Sequence, residues 1–143
     1  MMKPGRSFSE SQLAHLREVC GREPRLAALY AFGLRQRGDC DLAALFTEPL
    51  SWPERLDLEL AVAGALGMEG VEVVDLRRMP LVLRFGVVND GEPLYVGRPD
   101  ALALFIEETI VRYSAFYPLL EALYWKVETG PLADDQLTLT DDR

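Results

Sequence analysis

Two aspartates separated by a single residue, Asp39 and Asp41, are the side chains of this chain best suited to do chemistry. They follow a turn bounded by Gly33 and Gly38 and precede the apolar run 42–46. Because successive side chains in a strand alternate between its two faces, both carboxylates are predicted to project to the same side of a sheet. There they would lie close enough to share a divalent cation or to hold two.

Three further residues are candidates for the same site. Glu72 lies in a predicted strand over 71–76 and would present a third carboxylate to one face of the sheet. Arg35 and Arg37 lie in the glycine turn and could clamp phosphate oxygens, because a guanidinium binds phosphate through two N–H groups. Alternatively, the arginines lie in a solvated turn and offset the charge of the nearby aspartates. The aspartate pair could likewise be a solvated strand end, because a chain with 23 acidic residues contains such spacings by chance.

Length and composition limit the protein classes that fit. A chain of 143 residues with 49% hydrophobic content is expected to form one domain with its own core. A net charge of −8 argues against direct nucleic-acid binding, which depends on cations that neutralise phosphates. We find neither an apolar run of about 20 residues nor an N-terminal signal core, so a cytoplasmic protein with no membrane contact is expected.

The cysteines and the histidine exclude other kinds of site. Cys20 and Cys40 lie in dissimilar contexts and are predicted to be reduced thiols rather than a disulfide or a zinc site. His15 is the only histidine, so neither a histidine metal cluster nor a Ser-His-Asp triad is available.

Apolar periodicity, helix caps and turn residues predict an alternation of helices and short strands. The predicted elements are helix 9–20, strand 26–32, strand 39–46, a helix starting at Ser51, strand 71–76, helix 81–88, turn 89–91, strand 93–96 and a long helix from Pro99 to Gly130. The segment after Ser51 is ambiguous, because Leu56, Leu58, Leu60 and Val62 alternate as in a strand. Leu56, Leu60, Ala63 and Leu66 have helical spacing, and the Ser51 cap and the Gly67 stop favour the helix.

The long helix carries two apolar stripes and Pro118, which is expected to kink it. One domain face seldom covers both stripes, so part of the helix is predicted to bind a partner protein or a second copy of this chain. The residues predicted to bind the partner are Phe116, Tyr117, Tyr124 and Trp125. Residues 131–143 are predicted to form an acidic, disordered tail.

The order of these elements and several short sequences resemble the minimal nucleotidyltransferase (MNT) family of the DNA polymerase β-like superfamily. The matching sequences are Leu-Tyr-Ala-Phe-Gly at 29–33, Asp-Cys-Asp-Leu-Ala at 39–43, Val-Glu-Val-Val-Asp-Leu at 71–76 and Arg-Phe-Gly-Val-Val at 84–88. The resemblance implies an α/β (α+β) fold with a nucleotidyltransferase mixed sheet, packed helices and a long kinked C-terminal helix. It assigns residues 1–130 to this domain.

The family pattern is a Gly-Ser turn that holds nucleotide phosphates, followed by Asp-x-Asp and a third acid that together hold magnesium. Matched to this pattern, Gly33 is the glycine, Asp39 and Asp41 are the metal pair and Glu72 takes the place of the third acid. Leu34 replaces the serine, so a hydroxyl that would meet phosphate is absent. The turn is also about six residues shorter than in the family, which removes part of the phosphate-binding loop.

In function, the resemblance implies an antitoxin that binds a HEPN ribonuclease toxin, with a degenerate Mg²⁺ and ATP site in which Gly33, Arg35 and Arg37 meet the phosphates. Two alternatives stay open at this stage. One is an active adenylyltransferase that moves AMP from ATP to a tyrosine of the partner protein. The other is a regulatory binding module without a toxin.

Overall fold

The computed structural model describes residues 8–32 and 40–129. Four helices and four strands lie along these residues, with a short 3₁₀ turn, Leu76–Arg78, after the third strand. The elements are α1 Glu10–Gly21, β1 Leu26–Phe32, β2 Cys40–Phe46, α2 Trp52–Leu66, β3 Val71–Asp75, α3 Leu81–Asp90, β4 Glu92–Val96 and α4 Pro99–Thr129.

Side chains fix the helix ends as the sequence predicted. Ser9 caps α1 and Ser51 caps α2, each through a reciprocal pair of hydrogen bonds with the residue three positions later. Gly67 ends α2 with a φ of 66°, in the left-handed region that glycine adopts without a steric penalty. The helix prediction for the ambiguous segment is therefore confirmed.

The four strands form one mixed sheet in the order β3-β2-β1-β4. β1 is antiparallel to both β2 and β4, whereas β2 and β3 are parallel. Because parallel strands cannot be joined by a tight turn, α2 forms the connection between them. This mixed sheet with packed helices confirms the predicted fold class.

The sheet separates two apolar layers. Leu29, Leu42 and Val73 point to the face that α1 and α2 cover. Ala43 and Leu45 point to the opposite face, where α3 and the first turns of α4 pack. The two central strands, β1 and β2, therefore contribute residues to both cores, which explains why they read as continuous apolar runs.

Several predicted boundaries need correction. Asn89 and Asp90 belong to the last turn of α3 rather than to a separate turn, and Gly91 follows as its cap. A methyl group at Gly91 would lie 2.5 Å from the carbonyl oxygen of Val87, so glycine permits the chain to pass directly into β4. β3 ends at Asp75, one residue earlier than predicted, because the Asp75 side chain accepts a hydrogen bond from the Arg77 N–H and starts the 3₁₀ turn.

The chain divides into two compact units, Met1–Thr109 and Ile110–Arg143, and α4 runs through the boundary. In the first unit, Leu102, Phe105 and Thr109 are buried. Pro118 lies inside the helical part of the second unit, where its nitrogen donates no backbone hydrogen bond. The predicted tail, 131–143, lies outside the described residues.

Candidate functional site

The parallel pair of strands brings two of the candidate acids together. Asp41 of β2 and Glu72 of β3 are register partners, and partners in a parallel pair project to the same face. Since neighbouring strands lie about 4.8 Å apart, the two residues start from adjacent positions. Asp41 is half-buried and Glu72 is exposed, so both carboxylates border the solvent.

This pair lies at the end of the sheet where β1 ends and β2 begins. Phe32, the last residue of β1, is the antiparallel register partner of Asp41. Residues 33–39 connect Phe32 to Cys40, the first residue of β2. This connection contains four candidate residues, which lie outside the described residues, so their roles stay predictions. They are Gly33, Arg35, Arg37 and Asp39.

The donor chemistry of the pair suits a hard divalent cation. Mg²⁺ is usually bound by one or two carboxylates together with substrate phosphates, and Asp41 and Glu72 supply two carboxylates on one face. Within residues 8–32 and 40–129, no group of three or more acidic, histidine or cysteine side chains could hold a metal ion. Asp39, two positions before Asp41, is the predicted source of a third carboxylate.

Two side chains of α2 hold the strand that carries Glu72. The Arg55 guanidinium donates a hydrogen bond to the Val73 carbonyl oxygen at 2.6 Å, and Glu59 accepts one from the Val73 N–H at 3.0 Å. β3 is an edge strand, so these backbone groups would otherwise face solvent. Opposite charges four residues apart on a helix are visible in the sequence, but they did not predict this contact with β3.

Arginines also fix the segment between β3 and α4. The Arg84 guanidinium donates to the carbonyl oxygens of Arg77 and Met79, which ties α3 to the 3₁₀ turn. Arg77 lies over the Phe105 ring, 5.2 Å from its centroid, and Arg84 lies 5.9 Å from the same centroid. These cation-π contacts pack the first turns of α4 onto the region after β3.

The predicted partner-binding residues lie in the second compact unit and are largely solvent-exposed. Tyr124 is 65% exposed, Trp125 67% and Tyr117 43%, whereas Phe116 is half-buried. The Tyr117 hydroxyl donates a hydrogen bond to Glu121 at 3.2 Å, and this bond raises the pKa of Tyr117. The structure therefore presents a row of aromatic side chains at the surface of this helix.

Comparisons with protein-family models and with curated proteins gave no match. Solved structures did match. A chain from the complex of a tri-AMPylated HEPN toxin of Shewanella oneidensis with an MNT antitoxin is 29% identical over 81% of this chain and 95% of that chain, with a TM-score of 0.62. A toxin-antitoxin complex with AMP-PNP contains a chain that is 28% identical over 84% of this chain and 98% of that one, with a TM-score of 0.61.

A third solved structure is a variant of the toxin-antitoxin complex that contains MntA. Its matching chain is 30% identical over 85% of this chain and 98% of that chain, with a TM-score of 0.61. The match thus spans nearly the whole length of each relative. From this identity, coverage and fold, the chain belongs to the MNT family of nucleotidyltransferases.

Proposed function

We propose that this protein is a cytoplasmic antitoxin that binds and neutralises a HEPN-domain toxin. The observation that carries the proposal is the fold match to chains of toxin-antitoxin complexes, over 95% to 98% of the length of those chains. A match of this length concerns the fold as a whole and is not confined to one motif.

Binding through the second half of α4 is the first part of the proposed mechanism. Aromatic residues are enriched at the centres of protein interfaces, because they bury a large area and lose little conformational freedom. Tyr124 and Trp125 are both about two thirds exposed, so a partner that covered them would remove a large apolar area from water. Phe116 and Tyr117 would extend the same contact along the helix.

A weakened nucleotide site is the second part. Asp39, Asp41 and Glu72 would hold Mg²⁺, which when bound screens the charge of the ATP phosphates and orients them. The backbone N–H groups of the turn at Gly33 would meet the phosphate oxygens. Leu34 offers no hydroxyl there, so Mg-ATP binding is expected to be weaker than in relatives that have the serine.

Transfer of AMP to the toxin is the second candidate function. It is favoured by the position of Asp41 beside Glu72 and by the AMPylated state of the toxin in one relative's complex. The acceptor tyrosine oxygen would attack the α-phosphorus of ATP, pyrophosphate would leave, and the hydroxyl proton would pass to Glu72. The product would be a phosphodiester between AMP and the tyrosine.

The experiment is co-expression with a HEPN protein encoded by the neighbouring reading frame, with cell growth and the mass of the purified toxin as readouts. We expect the wild type and Asp41→Asn to restore growth equally and to leave the toxin mass unchanged. The matched control is Asp57→Asn, which changes an exposed aspartate on α2 in the second acid-x-acid sequence of the chain.

The other outcomes are equally informative. A toxin heavier by one or more AMP groups, with both the modification and the growth lost in Asp41→Asn, would establish the transferase in place of neutralisation by binding. A HEPN protein that neither binds nor is neutralised, or a genome without one beside this chain, would contradict the antitoxin proposal and leave the regulatory module.

A further inference from the structure

The outer face of α2 carries an apolar ridge that is exposed in the described part of the chain. Trp52, Leu56 and Leu60 follow each other at intervals of four residues, so they lie in one row along the helix. Trp52 is 73% exposed, Leu56 37% and Leu60 63%. The opposite face of α2 packs in the core, so the helix has two apolar sides and the sheet uses only one of them.

The ridge lies beside β3 at the edge of the sheet, and Glu72 lines the same cleft as Trp52 and Leu56. α2 covers the sheet face that holds Leu42 and Val73, whereas Asp41 and Glu72 project to the other face. The ridge also lies in the first compact unit, and the aromatic residues proposed to meet the toxin lie in the second. Neither role proposed above accounts for an exposed tryptophan and two exposed leucines in one row.

Charges of opposite sign flank the ridge on one side. Arg55 and Glu59 are one turn apart, next to Leu56, and both hold the backbone of Val73. They line a cleft of about 370 Å³ between α2 and β3, and Trp52 and Leu56 form part of its wall. Along this side of the helix a positive charge, Arg55, therefore precedes a negative charge, Glu59. In an antiparallel second helix the order of the two charges is reversed.

We propose that the ridge is the contact surface for a second copy of this chain, with the two α2 helices antiparallel about a twofold axis near Leu56. Trp52 of each copy then packs beside Leu60 of the other, and the axis brings Arg55 towards Glu59 of the second copy. Rows of side chains at four-residue spacing interdigitate in the commonest class of helix pairing.

The charge pattern is what selects a second copy as the occupant. A twofold interface uses the same patch on both molecules, so the patch must complement itself. A ridge flanked on both sides by one sign of charge would repel its own copy. Arg55 and Glu59 instead become complementary on rotation and form two pairs across the axis, whereas the exposed Asp57 on the other flank meets only its own equivalent. A different partner would need the matching pattern on its own surface.

A residue near the twofold axis lies close to its own equivalent in the second copy, and this permits a direct test. In the full chain, Leu56→Cys is expected to form a disulfide-linked dimer under mild oxidation. Leu83→Cys is the matched control, because Leu83 is 57% exposed on α3, away from the ridge. The wild type, which retains Cys20 and Cys40, serves as the blank.

Sedimentation of the purified chain gives the second measurement. We expect the wild type to dimerise as concentration rises, and Leu60→Arg to weaken the association more than about tenfold. Leu83→Arg should leave it unchanged. A wild type that is monomeric at every concentration, a dimer that survives Leu60→Arg, or equal crosslinking of the two cysteine variants would overturn the proposal. Protection of the ridge by the toxin, with a monomeric free chain, would overturn it as well.

Discussion

The strongest test of the proposed toxin contact is Trp125→Ser. A tryptophan presents about 200 Å² of surface, and Trp125 is 67% exposed, so a toxin that covers it would bury roughly 130 Å². At about 25 cal/mol per Å², this burial is worth roughly 3 kcal/mol, which corresponds to about a hundredfold in the dissociation constant. Because the side chain is exposed in the free protein, the free energy of unfolding should change by less than about 0.5 kcal/mol.

Titration calorimetry with the HEPN toxin measures the affinity, and urea unfolding of the isolated chain measures the stability. Trp52→Ser is the matched control, since Trp52 is 73% exposed but lies on α2. We expect the Trp52→Ser variant to retain wild-type affinity for the toxin at concentrations where the free chain is monomeric. A Trp125→Ser variant that binds the toxin normally, or one that unfolds the free chain, would refute the assignment of this residue to the interface. Tyr124→Ser is expected to act in the same direction.

Three predictions concern the stability of the fold and are checked by urea unfolding. Gly91→Ala is expected to destabilise the chain by about 1–3 kcal/mol, because the new methyl group would press on a carbonyl oxygen of α3, and an unchanged midpoint would contradict this. Glu59→Ala is expected to cost about 1–3 kcal/mol by leaving a part-buried N–H of β3 unpaired, while Glu59→Gln, which can still accept the bond, should cost less. The hydrogen bond from Arg25 lowers the pKa of Glu23 in the folded protein. The stability that this bond provides is therefore complete above the pKa of Glu23 in the unfolded chain, and it is lost as the pH falls through the lower pKa of Glu23 in the folded protein. Glu23→Gln should therefore be less stable than the wild type at neutral pH and equal to it in acid, and a constant difference at all pH values would contradict the argument.

Local sequence determined most of the secondary structure. The Ser9 and Ser51 caps, the Gly67 stop and the apolar runs of β1 and β2 act within a few residues of one another, so their effect does not depend on the rest of the fold. Because side chains alternate between the two faces of a strand, the face to which Asp41 points is likewise independent of the partner strand. The family resemblance added the prediction that Glu72 would belong to the same site.

Only the tertiary structure decided which strand lies beside which acid. The parallel pairing of β2 with β3 requires α2 to cross over, and the register that sets Asp41 opposite Glu72 arises from packing on both faces. The hydrogen bonds of Arg55 and Glu59 to the Val73 backbone likewise join residues 18 and 14 positions apart in the chain. The spacing of residues along a strand predicts which side chains share a face, but it does not predict which strand lies beside them.

The burial of α2 shows the same division most clearly. Helical spacing grouped Leu56 and Leu60 with Leu66, yet the structure buries Leu58 and Leu66 and exposes Leu60. The sequence established that α2 is a helix with apolar residues around much of its circumference. Periodicity measures angles about the axis of the helix itself, so it cannot say which of two apolar faces meets the sheet. That choice is made when the helix packs, because only one orientation closes the core.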